Sequence, residues 1–233
     1  MSAETSQTLA RGLRVLELLA GRPRGTSVAE LADQLGVGRT VAYRLVATLV
    51  EQRFAHKDAD GQVRLGWAAL VLARSAWPLL RAQALPVLRE LADAVGATAH
   101  LTSAEGDEAL AIAVVEPRWT DFHVGYREGS RHALSQGAAG RAILAAREGP
   151  GGLVRSSGEL QPGAFGLAIA LSPPAANAAA SAAGSKATDS AVGHAGSSVV
   201  ELSIGVVALA PIPPAAESAV TSAARTLHQR LFG

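Results

Sequence analysis

Residues 27–53, SVAELADQLGVGRTVAYRLVATLVEQR, constrain the fold more than any other stretch, because two runs of helical periodicity flank a Gly36-Val37-Gly38 break. Ser27, followed three residues later by Glu30, makes a capping box, in which each side chain satisfies a backbone amide left without a partner in the first helical turn. Val28, Leu31, Ala32 and Leu35 then repeat at i, i+3, i+4, i+7, the spacing of one buried stripe. Gly36 can take the positive φ that stops the helix and turns the chain. A second helix follows Gly38 with Ala42, Leu45, Val46 and Leu49 on its inner side, which leaves Arg39, Thr40, Tyr43, Arg44 and Ala47 outside. Taken alone, the pattern fits either a helical hairpin with a solvated outer face or a helix-turn-helix that presents its second helix to a partner.

The next residues favour the second reading. Residues 54–57, FAHK, and 62–65, QVRL, are short strand-like runs joined by the turn residues Asp58-Ala59-Asp60-Gly61, a hairpin signature. A two-stranded wing carrying His56, Lys57 and Arg64 directly after an outward-facing helix is the winged form of a DNA-reading motif. A helix laid in the major groove reads base edges with its first two turns, while flanking cations hold phosphates. Thr40 and Tyr43 fall where base edges would be, and Arg39 and Arg44 where phosphates would be. Ser27, Lys57 and Arg64 complete the candidate DNA contacts.

Charge is distributed to match. The 233-residue chain carries a net charge of only +1, yet residues 36–57 hold Arg39, Arg44, Arg53 and Lys57 against Glu51 alone. With no cysteine there is neither a disulfide framework nor a thiolate metal site, and the six histidines occur singly. No metal and no cofactor is expected. The N-terminus is polar and charged and no run of eighteen apolar residues occurs, so a cytoplasmic chain without a signal peptide or membrane span is expected. No G-x-S-x-G elbow, P-loop, H-E-x-x-H or dinucleotide fingerprint is present, and no enzymatic activity is expected.

Three regions are expected: a winged helix-turn-helix over residues 1–66, a linker helix over 67–78, and a second domain over 79–233. The first begins with a helix that turns Leu9, Leu13, Leu16 and Ala20 inward. The linker, WAALVLARSAW, should stop at Pro78. Its Trp67, Leu70, Val71 and Trp77 need cover, either from the second domain or from another subunit, since burying one large side chain is worth about 1.5–3 kcal/mol. In the second domain a helix over 79–96, limited or kinked by Pro86, precedes five strands: a half-buried one at 97–102, a fully buried one at 109–115, then 122–126, 164–171 and 203–210. A last helix spans 215–231 with Val220, Ala224, Leu227 and Leu231 inward. Strands interleaved with helices predict an α+β sensor sheet.

Several ordered blocks resemble one family. LARGLRVLELLA (9–20), the helix-turn-helix and wing, VRLGWAALVLA (63–73), RHALSQGAAGRAILAA (131–146), SSGELQPGAFGLAIAL (156–171) and LSIGVVALAP (202–211) are similar to blocks of the IclR-type transcriptional regulators. The resemblance implies a dimeric winged-helix regulator of the repressor kind, with a tetramer as the alternative assembly. Its C-terminal domain, similar to GAF and PAS sensory folds around a central antiparallel sheet, would bind a small effector and alter binding to a double-stranded DNA operator.

The expected effector site is Ser135, Gln136, Gly137, Ala138 and Ala139, where a glycine-containing loop meets a helix start and free amides with the helix dipole favour a carboxylate. The same glycines would equally serve tight helix-on-sheet packing. The resemblance also implies more helical sequence than residues 147–155, REGPGGLVR, provide between that helix and residues 156–163, so part of a layer over the sheet should be missing. Residues 173–198, rich in Ala, Gly and Ser, are expected to form a mobile loop, with a short fraying helix over 175–183 as the alternative. The alternative is a DNA-binding dimer with a degenerate sensor that no longer binds an effector.

Overall fold

The computed structural model describes residues 5–119, 124–171 and 200–233, which form two compact units, one ending at Trp77 and one beginning at Pro78. The first holds α1 (Gln7–Ala20), α2 (Val28–Leu35), α3 (Arg39–Glu51), the hairpin β1 (Ala55–Lys57) and β2 (Val63–Leu65), and the start of α4 (Ala68–Val95). Its core is Val15, Leu19, Leu31, Leu45, Val46, Ala55 and Val63, so all three short helices and the wing close on one apolar cluster.

The inward face of α1 departs from expectation. Val15 and Leu19 are buried, while Leu9 and Leu13 are 63% and 53% exposed and Ala20 is exposed as well; Leu16 is half-buried. Leucines lie on adjoining stripes of α1, and spacing alone does not say which stripe meets the core.

The linker expectation is also corrected. Residues 68–95 form one helix that contains both Pro78 and Pro86 instead of stopping at the first. Proline removes one N–H bond per site. At Pro78 the carbonyl thereby released belongs to exposed Arg74, in a stretch of exposed residues from 70 to 79, so water can take the missing donor's place.

The second unit is a six-stranded antiparallel sheet in the order β5-β4-β3-β8-β7-β6, built from β3 (Thr98–Glu105), β4 (Glu108–Val115), β5 (Arg131–Ala133), β6 (Val154–Ser157), β7 (Phe165–Leu171) and β8 (Leu202–Ala208). The C-terminal part of α4 and α6 (Ala216–Phe232) pack with Leu101, Leu167, Ile204 and Val206 in the main core. α5 (Gly137–Glu148) sets Ala138, Ala139 and Ala142 against Ala168. Leu167 and Ala168 are neighbours on one strand and point to opposite faces, so α5 covers the face opposite α4 and α6.

Two burial patterns are the reverse of those expected. Residues 97–103 are buried throughout, because β3 lies inside the sheet, between β4 and β8, with cover on both faces. β4 instead alternates, with Ala109, Ala111, Ala113 and Val115 buried and the residues between them half-buried. The strand expected at 122–126 is absent at Val124, Gly125 and Tyr126; residues 122 and 123 lie outside the described residues, as does the segment 173–198. The short β5 pairs with β4 in its place, and its exposed Arg-His-Ala composition carries no alternation that a sequence reading could detect. β6 was likewise unforeseen.

No helix among the described residues is long and apolar enough to cross a membrane.

Candidate nucleic-acid interface

The capping box at the start of α2 forms as spacing predicts: the Glu30 amide donates to Ser27 Oγ at 3.2 Å, and the Ser27 amide donates to the Glu30 carboxylate at 2.8 Å. Hydrogen bonds from the Ser27 amide, from Thr26 and from the Ser27 hydroxyl hold the Glu30 carboxyl below its usual range. The Ser27 hydroxyl itself donates to Glu30 at 3.0 Å. Ser27, expected among the DNA contacts, is also the cap of α2, with its hydroxyl proton engaged by Glu30. Gly36, at φ 63°, closes α2 and returns the chain toward α3.

α3 turns Ala42, Leu45 and Val46 into the core. Arg39, Thr40, Tyr43, Arg44 and Ala47, all five residues expected outside, are exposed. Arg39, Arg44 and Lys57 enter none of the ion pairs found among the described residues. The helix thus offers a cationic polar face with no carboxylate neutralising it.

The wing is tied down at its base. Thr26 forms a strand-like bridge with Val63, exchanging N–H···O bonds of 3.0 and 2.8 Å, so the loop between α1 and α2 runs beside β2. Arg64 is held there too: it pairs with Asp58 at 3.0 Å, and its Nε donates to the carbonyl of Arg24 at 3.3 Å. Arg64, expected among the DNA contacts, is thus held by the wing itself while its side chain stays about half exposed. Arg24 itself is exposed beside the wing, a cation that the helix-centred reading missed and that the run RPRG could have flagged. Lys57 places its ammonium 5.2 Å from the centre of the Tyr43 ring.

Where β1, β2 and α4 meet, Arg53 adopts φ 61°, and its carbonyl accepts the amide of Ala68 at 3.1 Å. A Cβ on Gly66 would strike that carbonyl, which explains glycine at the position. Beside it lies an open hollow of about 760 Å³ lined by Val50, Phe54, Trp67, Val71 and Leu72 among others, with Trp67 81% exposed.

The second candidate site does not stand open. The amide of Gly137 donates to the Glu159 carboxylate at 2.8 Å, and that of Ala138 to Ser156 Oγ at 3.0 Å. Arg141 binds the other Glu159 oxygen at 2.6 Å. The two amides expected to receive a ligand are bonded within the chain in this structure, Gly137 to a carboxylate and Ala138 to a hydroxyl. The Gln136 amide donates to Ala133, while the Ser135 and Gln136 side chains are exposed, and Ala139 is buried against the sheet with Ala168. Gly140 is needed for packing, since a Cβ there would meet the backbone of Leu134.

A polar group of a different kind lies on the same sheet face. His100 and Thr102 stand opposite Gly205 and Ser203 in the β3–β8 register, and Gly205 stands opposite Ala168, so all share the face covered by α5. His100 Nδ1 lies 3.2 Å from Thr102 Oγ1, and its ring meets Tyr126 edge-on at 5.2 Å. Burial, with a smaller effect of His132, lowers the His100 pKa to about 4, so it is neutral. The hydroxyls of Thr98 and Ser203 are buried without a hydrogen-bond partner among the described residues. Nothing in the alternation of residues 97–102 had pointed to this group.

Comparison with known proteins bears on both units. The IclR helix-turn-helix domain matches residues 8–59, and the bacterial transcriptional regulator IclR C-terminal domain matches residues 78–150. The HTH-type transcriptional regulator KipR of Bacillus subtilis is 30% identical over 60% of this chain and 56% of its own length. The transcriptional repressor IclR of Escherichia coli is 27% identical over 60% of this chain and 52% of its own. The chain thus spans about half the length of the curated relatives it matches. The fold is similar to that of an IclR homolog from Microbacterium hydrocarbonoxydans, solved in complex with 4-hydroxybenzoate, at TM-score 0.50, 19% identity and coverage of 97% of this chain and 99% of that one. Two domain matches in chain order, together spanning more than half its residues, establish that the chain belongs to the IclR family of bacterial transcriptional regulators.

Proposed function

We propose that this chain is a sequence-specific DNA-binding regulator of transcription, of the repressor kind, and acts without catalysis. The observation that carries the reading is the outer face of α3, where Arg39, Thr40, Tyr43 and Arg44 stand exposed and the two arginines enter no ion pair among the described residues. The helix lies in the major groove, Thr40 and Tyr43 meet base edges, and Arg39, Arg44 and Arg24 hold phosphates. The working unit is a homodimer on a roughly palindromic operator with half-sites about one helical turn apart. Its support is the apolar surface of Leu9, Leu13, Trp67, Leu70 and Val71, too much for a lone subunit to leave in water. Selection of duplexes from a random library by the full chain is expected to yield such a palindrome. A mass of one subunit at micromolar concentration, with a single half-site protected, would refute the dimer.

The second unit senses a small acid. The unpartnered hydroxyls of Thr98 and Ser203, with His100 and Thr102 beside them, favour a polar ligand on the sheet face. The homologue solved with 4-hydroxybenzoate makes that acid the first probe. With α5's first amides engaged by Glu159 and Ser156, binding is expected to be micromolar or weaker and its coupling to DNA about 1 kcal/mol or less. The same engagement favours a second reading, a regulator whose sensor takes no effector. Calorimetry with 4-hydroxybenzoate and short aliphatic acids separates the two: heat of binding together with a shift in operator affinity supports sensing, and neither supports the second reading.

A further inference from the structure

We infer that Lys57 of the wing is a positioning residue for Tyr43, so that the wing sets the direction in which α3's aromatic side chain meets a base. The inference rests on the reading of α3 as the groove-reading helix.

Tyr43 is 59% exposed on the second turn of α3, and no hydrogen bond to its hydroxyl is found among the described residues. Its own helix does not orient the ring. Lys57 does: its ammonium, 5.2 Å from the ring centre, is within the range at which a cation is drawn to an aromatic face. The strand that carries Lys57 is anchored, because Lys57 pairs across the hairpin with Val63, whose side chain is fully buried. Gly61, at φ 80°, makes the turn beside the Lys57 stem, to which a Cβ at this position would be in ordinary contact, 3.8 Å from Lys57 Cε. The neighbouring cation, Arg64, is paired with Asp58, and among the described residues no second cation lies over the Tyr43 ring.

One face of Tyr43 is thereby taken, and rotating the ring away loses the contact. A cation that only held a phosphate would act on every sequence alike. A cation that orients a base-reading ring changes the preference between sequences. At an exposed site such a contact is worth roughly two- to fivefold in an equilibrium.

The test uses the full chain, the duplex enriched by selection with the wild type, and a scrambled duplex of equal length and composition. Lys57→Met keeps the stem and removes the charge, and Lys57→Arg keeps a cation that can stack on the ring. Lys57→Met should lower the ratio of selected to scrambled affinity by about two- to fivefold, and Lys57→Arg should restore it. In a Tyr43→Leu background Lys57→Met should lower both affinities together and leave the ratio unchanged. In the free protein, ring current should move the Lys57 Hε proton signals upfield, and Tyr43→Leu should abolish that displacement. Equal loss on both duplexes with Tyr43 present, or no ring-current displacement, would overturn the inference and leave the DNA reading intact. A wild-type chain with no preferred duplex would overturn the DNA reading and this inference with it.

Discussion

The outer face of α3 and the first turn of α5 look alike as sequence: each opens a helix at a glycine, Gly38 before α3 and Gly137 as the first residue of α5, and each is expected to meet an anion. In the folded chain they differ. α3 keeps Arg39 and Arg44 out of every described ion pair, whereas α5 has its Gly137 and Ala138 amides bonded to Glu159 and Ser156 and its Arg141 paired with the same Glu159. A helix terminus invites an anion only where the fold has not already brought one. For α5 the occupant comes from 22 residues away in sequence, out of reach of any local motif.

The comparison can be pressed at four points, from the largest expected effect to the smallest. The polar face beneath α5 is buried, and His100 reports on it. Its pKa is about 4 in the fold against 6.5 for the free side chain, so the unfolded chain takes up the proton first. The stabilisation is complete above pH 6.5 and disappears as pH falls toward 4, a difference of about 3 kcal/mol. Urea unfolding of the wild type and of His100→Gln between pH 4 and 7 should show a slope in the wild type that the variant lacks. Parallel curves would mean that His100 is solvated after all.

On the open face, Thr40→Ala or Tyr43→Ala should reduce operator affinity by about 1–3 kcal/mol and relax base preference. Arg44→Ala should weaken all duplexes alike and lower the salt slope by about one. Titrations at several salt concentrations separate the two classes, and unchanged affinity in both would remove α3 from the interface.

On the closed face, Glu159→Gln keeps the shape and removes the charge shared by Gly137 and Arg141. Both side chains of this pair are partly exposed, so the loss of stability should be about 1 kcal/mol or less. Thermal unfolding measures it, and a loss of several kcal/mol would make Glu159 a core element instead of a surface closure. The smallest effect belongs to Arg53, whose φ of 61° is uncommon for a side chain with a Cβ. Arg53→Gly should raise stability by about 0.5 kcal/mol, the relief of left-handed strain being partly offset by glycine's greater freedom when unfolded. A drop in the denaturation midpoint would show that the Arg53 side chain holds the turn.

The sequence by itself determined whatever depends on neighbours within one or two helical turns. The Ser27–Glu30 box, the turn at Gly36, the exposed run of α3, the Asp58-to-Gly61 hairpin and the family blocks were all legible, because capping, periodicity and turn chemistry act between residues a few positions apart. Tertiary structure alone decided which of two leucine stripes on α1 turns inward, that α4 passes through Pro78 and Pro86, and that β5 pairs with β4. It also decided that the Arg24 carbonyl holds Arg64, that Glu159 closes the α5 start and that Thr98, His100, Thr102 and Ser203 share one buried face. These outcomes join residues far apart in the chain or depend on what covers a surface, and local spacing holds no record of either.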